Sequence, residues 1–599
     1  MTTVINKKQV FLASISFAAY EWLPYPVGCL ISHAQKDKEV QQFYNFMEPE
    51  YRSNSLDQTD FHERLKQADV LGVTNWVWNQ NYNDRIANIY KSYRPDGLVV
   101  YGGTNVPEEK EVAEEYAKER PFVDIFFVGP AEENFKKFLL SYEQQGIENH
   151  QGTFTHKTNS VSVGRYDHVK VPIPSPYTDG IFDDIIERET RPLSALFETN
   201  RGCPYGCAFC DWGGMTKSKI IRKDEQEVRD TISYIMGKEN IDRIEIGDAN
   251  FGIYAQDVEY TKHMIAEKNK RKNDINLTMG GFAKNGSKHV EDIMRLMHDN
   301  FEAYHGRKYI KLSFQSHDET TLDAVHRSNI NNDKLIPMMK KFQSEGVEVD
   351  AEMIIGMPGD NEDRWLDTIQ KNMDLNINHQ KSFSLWIVPN TPMASKKYRE
   401  KHKVKTKHIY VPYDLDRFKS KEYHMKRLAG EDIHTQCTFK DPTEYQKLEF
   451  IYECFSFDSE ELMRIYDVWF WFNTLYNAKV ARKWMLESNL SAKEQYKLFM
   501  KNINDGKMPF MKKCLEEFRY AVWNTLAKPE DETKVTSLYL VNFLTKFSMR
   551  GNEMVDIYYN KDKVLKELQH VYPSINFDHF GKFDEKNITK LYFVSAEVA

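Results

Sequence analysis

The stretch Asn200-Arg201-Gly202-Cys203-Pro204-Tyr205-Gly206-Cys207-Ala208-Phe209-Cys210 gathers three of the chain's seven cysteines into one loop. The other four stand far apart, at positions 29, 437, 454 and 514. An odd, sparse set with one cluster is not a disulfide framework and suits a reducing compartment. Thiolates separated by three and then two residues can wrap one face of a compact inorganic cluster. Gly202 and Gly206 let the backbone turn closely around it, and Pro204 stiffens the loop. A structural zinc site needs four nitrogen or sulfur ligands. No histidine lies between His168 and His263, so zinc would have to recruit a distant ligand. Iron–sulfur clusters normally take four cysteines. With three supplied here, one iron of a four-iron cluster stays open, which suits a reaction better than plain electron transfer.

Working outward, the loop follows the strand-like run Leu193–Glu198. Further runs are Arg243–Gly247, Asn276–Gly280, Tyr309–Phe314, Val347–Gly356 and Phe383–Val388, with helical patterns such as Glu225–Met236 and Lys288–Met297 between them. Six strand–helix units with right-handed crossovers predict a partial (β/α)6 barrel over residues 191–400, with its chemistry at the carboxyl ends of the strands. Ahead of it, residues 1–145 alternate the strand candidates Gln9–Ser16, Val70–Thr74, Leu98–Tyr101 and Val123–Val128 with amphipathic helices. Uniformly apolar strands between helices predict a doubly wound parallel sheet, so the fold class is α/β. Residues 146–190 are polar, carry Pro172, Pro174 and Pro176, and read as a linker or a segment lying on its neighbours. Residues 401–599 predict an all-helical domain. Asp458-Ser459-Glu460-Glu461 and Ser491-Ala492-Lys493-Glu494 open helices there, and Trp469, Phe470, Trp471, Phe472 and Tyr476 belong to a buried one.

The cysteine spacing after the first of six barrel strands resembles the radical S-adenosylmethionine (SAM) superfamily, over about residues 190 to 395. The resemblance implies that Cys203, Cys207 and Cys210 hold a 4Fe-4S cluster whose open iron is chelated by SAM, with Phe209 near the adenine. Reductive cleavage would then yield a 5′-deoxyadenosyl radical. Gly247-Asp248-Ala249-Asn250 resembles the segment that meets the methionine amino group, although the family often has Gly-Gly-Glu there. Ser313-Phe314-Gln315-Ser316 resembles the ribose and carboxylate region, with Arg327, expected on the next helix, as a candidate for the carboxylate. Glu352-Met353-Ile354-Ile355-Gly356 resembles the fifth-strand motif that packs on adenine.

The first domain resembles the cobalamin-binding domain of one radical SAM subclass. Its strand ends carry Trp76-Val77-Trp78-Asn79, Gly102-Gly103 and the turn Gly129–Glu133, and a doubly wound sheet binds ligands there. A Gly-x-Gly-x-x-Gly dinucleotide fingerprint is absent. So is the Asp-x-His-x-x-Gly motif that supplies a lower-axial histidine elsewhere; His33 and His62 lack its spacing. With both cofactors the resemblance implies methylation of an unactivated carbon: one SAM methylates cobalamin, and a second supplies the radical that removes a substrate hydrogen. An electron donor such as a flavodoxin or ferredoxin is implied. The substrate, small molecule or peptide, and any catalytic side chain stay open.

Composition bounds the rest. Charged residues at 28% and hydrophobic ones at 41% exclude a largely disordered chain or a multi-span membrane protein. A net charge of −8 gives no clear nucleic-acid signal. The basic residues near Lys396–Lys407 read as a solvated face. Lys7-Lys8 before the apolar Val10–Ala19 imitates a signal peptide, but Glu21 and two prolines follow, so a buried first strand and a cytoplasmic protein are expected. Two other readings remain: a radical SAM enzyme for cyclisation or rearrangement, and a cobalamin-binding sensor or carrier without catalysis.

Overall fold

The computed structural model describes residues 6–16, 21–145, 152–155, 174–213, 219–279, 288–301, 309–329, 332–412, 445–523 and 560–575. The chain divides into two compact units, Met1–Lys308 with Val388–Ala394, and Tyr309–Ile387 with Ser395–Ala599.

In the first unit, a six-stranded sheet runs in the spatial order Tyr44–Phe46, Lys8–Ala13, Val70–Thr74, Leu98–Gly102, Ile125–Phe127, Thr153–Phe154. All neighbours are parallel except the last pair. Val70–Thr74 is buried along its whole length, as a strand covered on both faces must be. Helices Gln80–Tyr93, Lys110–Lys118 and Glu132–Gln145 connect successive strands. Gln80–Tyr93 turns Ile86, Ala87 and Tyr90 into the core and ends where Arg94 and Gly97 turn the chain into Leu98–Gly102. The expected doubly wound arrangement is present. The two short edge strands, Tyr44–Phe46 and Thr153–Phe154, have too few residues to show a period.

A second, fully parallel sheet in the same unit has the order Asn276–Met279, Ile241–Ile246, Leu193–Phe197, Glu21–Trp22. Helices Glu225–Met236 and Ala255–Lys268 lie between its successive main strands, and Lys288–Asn300 follows the last of them. Gly280, expected to end one strand, lies outside the described residues. Of the segment expected as a linker, Tyr177, Phe182, Ile185 and Ile186 are core residues packed with Leu193, Phe197 and Ile232. The helix Tyr25–Ala34 closes on this layer at Gly28, where an added Cβ would sit 2.4 Å from Phe182 Cζ. The reading as a segment lying on its neighbours fits these residues.

The second unit holds a three-stranded parallel sheet, Tyr309–Gln315, Glu348–Ile355 and His379–Ser384, in sequence order. Helices Glu319–Ala324, Asn332–Ser344 and Glu362–Asp374 alternate with these strands. The following region opens with an antiparallel pair, Lys405–Pro412 with Tyr445–Glu453, which the sequence reading does not contain. It continues as helices: Ser459–Phe472, Ala492–Asn504, Pro509–Val522 and Lys561–Leu568. Asp458 caps the first through Glu461 N, and Ser491 with Glu494 forms a reciprocal capping box on the second. Trp469 and Trp471 are fully buried, so the aromatic helix is core. Among the described residues, no helix is long and apolar enough to cross a membrane.

Candidate active site

Strand Leu193–Phe197 delivers the chain into the cysteine loop, and Asp248 at the end of the neighbouring strand fixes that delivery. Its Oδ1 accepts from Thr199 N at 2.8 Å and from Asn200 N at 3.3 Å. Its Oδ2 accepts from Asn200 Nδ2 at 2.6 Å and from the Thr199 hydroxyl. Both carboxyl oxygens are therefore spent on the protein. Burial pushes the Asp248 carboxyl up to about 8 against the pull of these donors. The residue positions the loop, and the expected direct contact with a cofactor does not fit its bonding.

Within the loop, Cys203 and Cys207 are buried and Cys210 is half-buried, with Phe209 half-buried between them. Gly202 turns at φ 102°, in the left-handed region. Cys210 N donates to Cys207 O at 3.1 Å. Gly213 closes the loop: an added Cβ there would lie 2.0 Å from Tyr205 O, so no side chain fits. Asn250 Nδ2 donates to Cys203 Sγ at 2.9 Å. Gly247 backs onto Leu196 and Phe197 of the first strand. Among the described residues, no group of three or more His, Cys, Asp or Glu side chains is gathered as for one metal ion. The fit to a cluster rests on the donor set: three thiols on a tightly turned, partly buried loop, beside the buried, unpartnered Oδ1 of Asn250.

Asp248→Asn puts an amide nitrogen where four donors converge. Loss of about 1–3 kcal/mol of stability is expected, since a buried donor then lacks its acceptor. Thermal melting of the apo chain checks it, and a fall in iron bound per chain after reconstitution should accompany it.

The first sheet contributes a second set of residues. Trp76 and Trp78 stack with centroids 5.1 Å apart, and Trp78 is 45% exposed. Gly102 has nothing within contact of an added Cβ closer than 4.0 Å. Gly103 has φ 97°, and an added Cβ would strike Asn75 O at 2.4 Å. Gly129 also turns with positive φ. The open Gly102 at one strand end and the exposed Trp78 indole after the neighbouring strand fit a broad, flat ligand. Asn79 does not join them. It is wholly buried, with Nδ2 donating to Ile15 O and Thr74 O and Oδ1 accepting from Trp76 N. It shapes the tryptophan loop from beneath, a correction to its expected ligand contact.

Two ties that the sequence did not reveal join these parts within the first unit. Asn390 takes φ 65°, donates to Thr104 O and Val106 O at 2.8 Å each, and accepts from Glu108 N at 2.9 Å. Three residues on, Met393 N donates to Ala208 O of the cysteine loop at 2.9 Å. One short segment thus holds both the glycine loop and the cysteine loop. The second tie is ionic. Arg201 meets Glu132 Oε1 at 2.7 Å and Glu198 Oε2 at 2.8 Å, and all three side chains are less than a fifth exposed. Lys223 Nζ donates to Tyr25 Oη at 2.9 Å, whose hydroxyl faces Glu198 at 3.5 Å. Cys29 lies beside this group; burial pushes its thiol up to about 12, which suits an inert structural role.

In the second unit, Ser313 stands opposite Glu352 in the strand register and donates to Glu352 Oε2 at 2.6 Å. Burial would raise Glu352, but Lys311 at 3.3 Å, Ser313 and Lys381 hold its carboxyl below the usual range. Gln315 takes φ 67° and leaves its buried Oε1 without a hydrogen-bond partner among the described residues. Arg327 follows the helix Glu319–Ala324, rather than lying on it as expected. Its guanidinium is held by Ser313 O and by Asn329 Oδ1, the latter at 3.0 Å, so it braces the strand end. Asp360 accepts from Gly356 N and Met357 N at 3.1 Å each and shapes the turn after Glu348–Ile355.

Comparison with known proteins adds an independent line. Residues 197–371 match the Radical SAM superfamily. The cobalamin-dependent radical SAM methyltransferase TokK of Streptomyces tokunonensis is 29% identical over 406 residues, covering 65% of this chain and 58% of TokK. The 2-(S-pantetheinyl)-carbapenam-3-carboxylate methyltransferase of Streptantibioticus cattleyicolor is 28% identical over 394 residues, covering 63% of this chain and 55% of that enzyme. The chain thus spans little more than half the length of these relatives. The apo, selenomethionine-labelled structure of the cobalamin-dependent S-adenosylmethionine radical enzyme OxsB aligns with a TM-score of 0.50 at 14% identity, over 98% of this chain and 83% of that one. That alignment concerns the fold, whereas the family match falls on the segment that begins at the strand feeding the cysteine loop. Residues 197–371 therefore carry a radical SAM domain, in a chain similar to cobalamin-dependent radical SAM methyltransferases.

Proposed function

We propose that this chain methylates an unactivated carbon of a small-molecule or peptide substrate, using a 4Fe-4S cluster, SAM and cobalamin. The observation that carries the reading is the joining, by Asn390–Met393 and by Arg201–Glu132, of a three-cysteine loop to a rim of glycines and exposed tryptophan. The two named relatives, both methyltransferases, support the same direction. When bound, the cluster with SAM supplies hydrogen abstraction from carbon, and the corrinoid supplies a methyl group.

The chain's own residues hold and shield. Cys203, Cys207 and Cys210 are the cluster ligands in this reading, with Phe209 alongside. Asn250 Oδ1, buried and unpartnered, is free to accept from the amino group of SAM. Within the second unit, the resemblance assigns Gln315 and Glu352 to nucleoside binding, and both carry acceptor oxygens. Trp76, Gly102, Gly103 and Gly129 receive the corrinoid, and Trp78 exposes the face most able to exclude water from it. An external low-potential donor of the flavodoxin or ferredoxin class supplies electrons. The described cysteines are all free thiols, which suits a reducing cytoplasm.

Anaerobic reconstitution with iron, sulfide and hydroxocobalamin tests the reading. Absorbance should report both cofactors, and SAM with reductant should release 5′-deoxyadenosine. Uptake of iron without cobalamin by folded protein would exclude cobalamin-dependent methyl transfer and leave cyclisation or rearrangement. Tetrahedral zinc, or no inorganic sulfide, would overturn the radical reading altogether.

A further inference from the structure

Asn250 has its amide nitrogen on a cysteine and, among the described residues, its amide oxygen on no donor. Nδ2 lies 2.9 Å from Cys203 Sγ, the residue is 0% exposed, and Oδ1 has no hydrogen-bond partner among the described residues. The turn that carries it is held on both sides. Two residues earlier, Asp248 is tied to Thr199 and Asn200; two residues later, Gly252 N donates to Asp257 Oδ2 at 2.8 Å. Phe251 between them is fully buried. The donor is thus presented to the sulfur by a fixed backbone, shielded from competing water.

An N–H aimed at a thiolate sulfur favours the more negative state of whatever that sulfur binds. Adding one electron to an iron–sulfur cluster raises the negative charge on its sulfurs, so the bond strengthens on reduction and draws the potential upward. We propose that Asn250 sets the reduction potential of the cluster held by Cys203, Cys207 and Cys210, by donating an N–H···S hydrogen bond to Cys203. The proposal rests on the three cysteines being cluster ligands. It assigns to Asn250 a role separate from any contact its oxygen makes with SAM.

Asn250→Leu keeps the side-chain shape and removes the donor. The full-length chain, reconstituted with iron and sulfide alone, is titrated with dithionite and mediators while EPR follows the reduced cluster. The variant should be harder to reduce. Its ratio of reduced to oxidised cluster at a fixed poise should fall about tenfold, equivalent to about 59 mV for a one-electron couple. Asn250→Ser, whose shorter side chain keeps a polar group but draws it back from the sulfur, should shift in the same direction. Wild-type protein offers a measurement independent of folding in the variants: its iron–cysteine sulfur stretches should move between H2O and D2O in resonance Raman spectra. An unchanged midpoint in a cluster-replete variant, or no isotope shift in the wild type, overturns the proposal. Wild-type protein that takes up no iron and sulfide overturns the functional reading and this proposal together. A wild type that makes 5′-deoxyadenosine beside variants with its own midpoint leaves the functional reading standing and this proposal refuted.

Discussion

Cys207→Ala is expected to yield a folded chain that releases no 5′-deoxyadenosine above background. The substitution removes one sulfur from a residue that is 3% exposed, and the remaining methyl still fills most of the site. The packing cost is therefore small, about 1 kcal/mol or less, by comparison with larger core truncations. The chemical cost is much greater. A three-cysteine set has no spare ligand, and two thiolates cannot hold a four-iron cluster in place of three. Iron and sulfide per chain should collapse, whereas uptake of hydroxocobalamin by the first sheet should persist, because none of Trp76, Gly102, Gly103 or Gly129 is touched. That combination separates an enzyme from a cobalamin-binding sensor, whose ligand response would survive the change intact. Deoxyadenosine release at wild-type levels would remove Cys207 from the cluster and with it the central reading.

The barrel-type strands were legible wherever burial made them apolar. Tyr309–Gln315 and Glu348–Ile355 lie within one or two residues of their expected limits. The last strand was not so placed: Phe383–Val388 was expected and His379–Ser384 is found. Its amino-terminal half is polar, and Gln380, its one buried residue, has its polar groups matched. Asn372 Nδ2 donates to Gln380 Oε1 at 2.7 Å, and Gln380 N donates to Asn477 Oδ1 at 2.9 Å. Asn477 is 97 residues away, so no local pattern could announce the pairing. The strand pair at Lys405–Pro412 and Tyr445–Glu453 escaped for a similar reason, since each half finds its partner outside its own stretch. At the site, the close spacing of the three cysteines put them on one loop, where the structure finds Cys203 and Cys207 buried and Cys210 half-buried. Asp248 and Asn79 were expected to meet a cofactor from strand ends, and Arg327 to reach the SAM carboxylate from the next helix. Sequence does not tell whether such a side chain faces a ligand or the protein itself, and in these three backbone and side-chain groups of the protein take the bonds.

Arg201 shows what that limit conceals. It reads as an ordinary basic residue two places before Cys203, yet its partner Glu132 stands 69 residues earlier, at the start of the helix Glu132–Gln145. Arg201→Met is expected to cost about 3–5 kcal/mol, because it leaves Glu132 and Glu198 buried without their shared cation. The loop carrying Cys203 should loosen with it, so iron content and thermal stability should fall together. Glu132→Gln alone should cost less, about 1–3 kcal/mol, since Arg201 keeps its bidentate approach to Glu198. The informative variant is the double one. Around this cluster two cations, Arg201 and Lys223, face two carboxylates, Glu132 and Glu198. Arg201→Met with Glu132→Gln removes one of each and restores the balance, leaving Lys223 near Glu198 through Tyr25. If unpaired buried charge is the cause, the double variant should be more stable than Arg201→Met alone, and chemical denaturation would give the difference directly. If the two losses simply add, charge balance is not what this pair provides. The tie between the first sheet and the cysteine loop would then rest on packing and on the Asn390–Met393 segment.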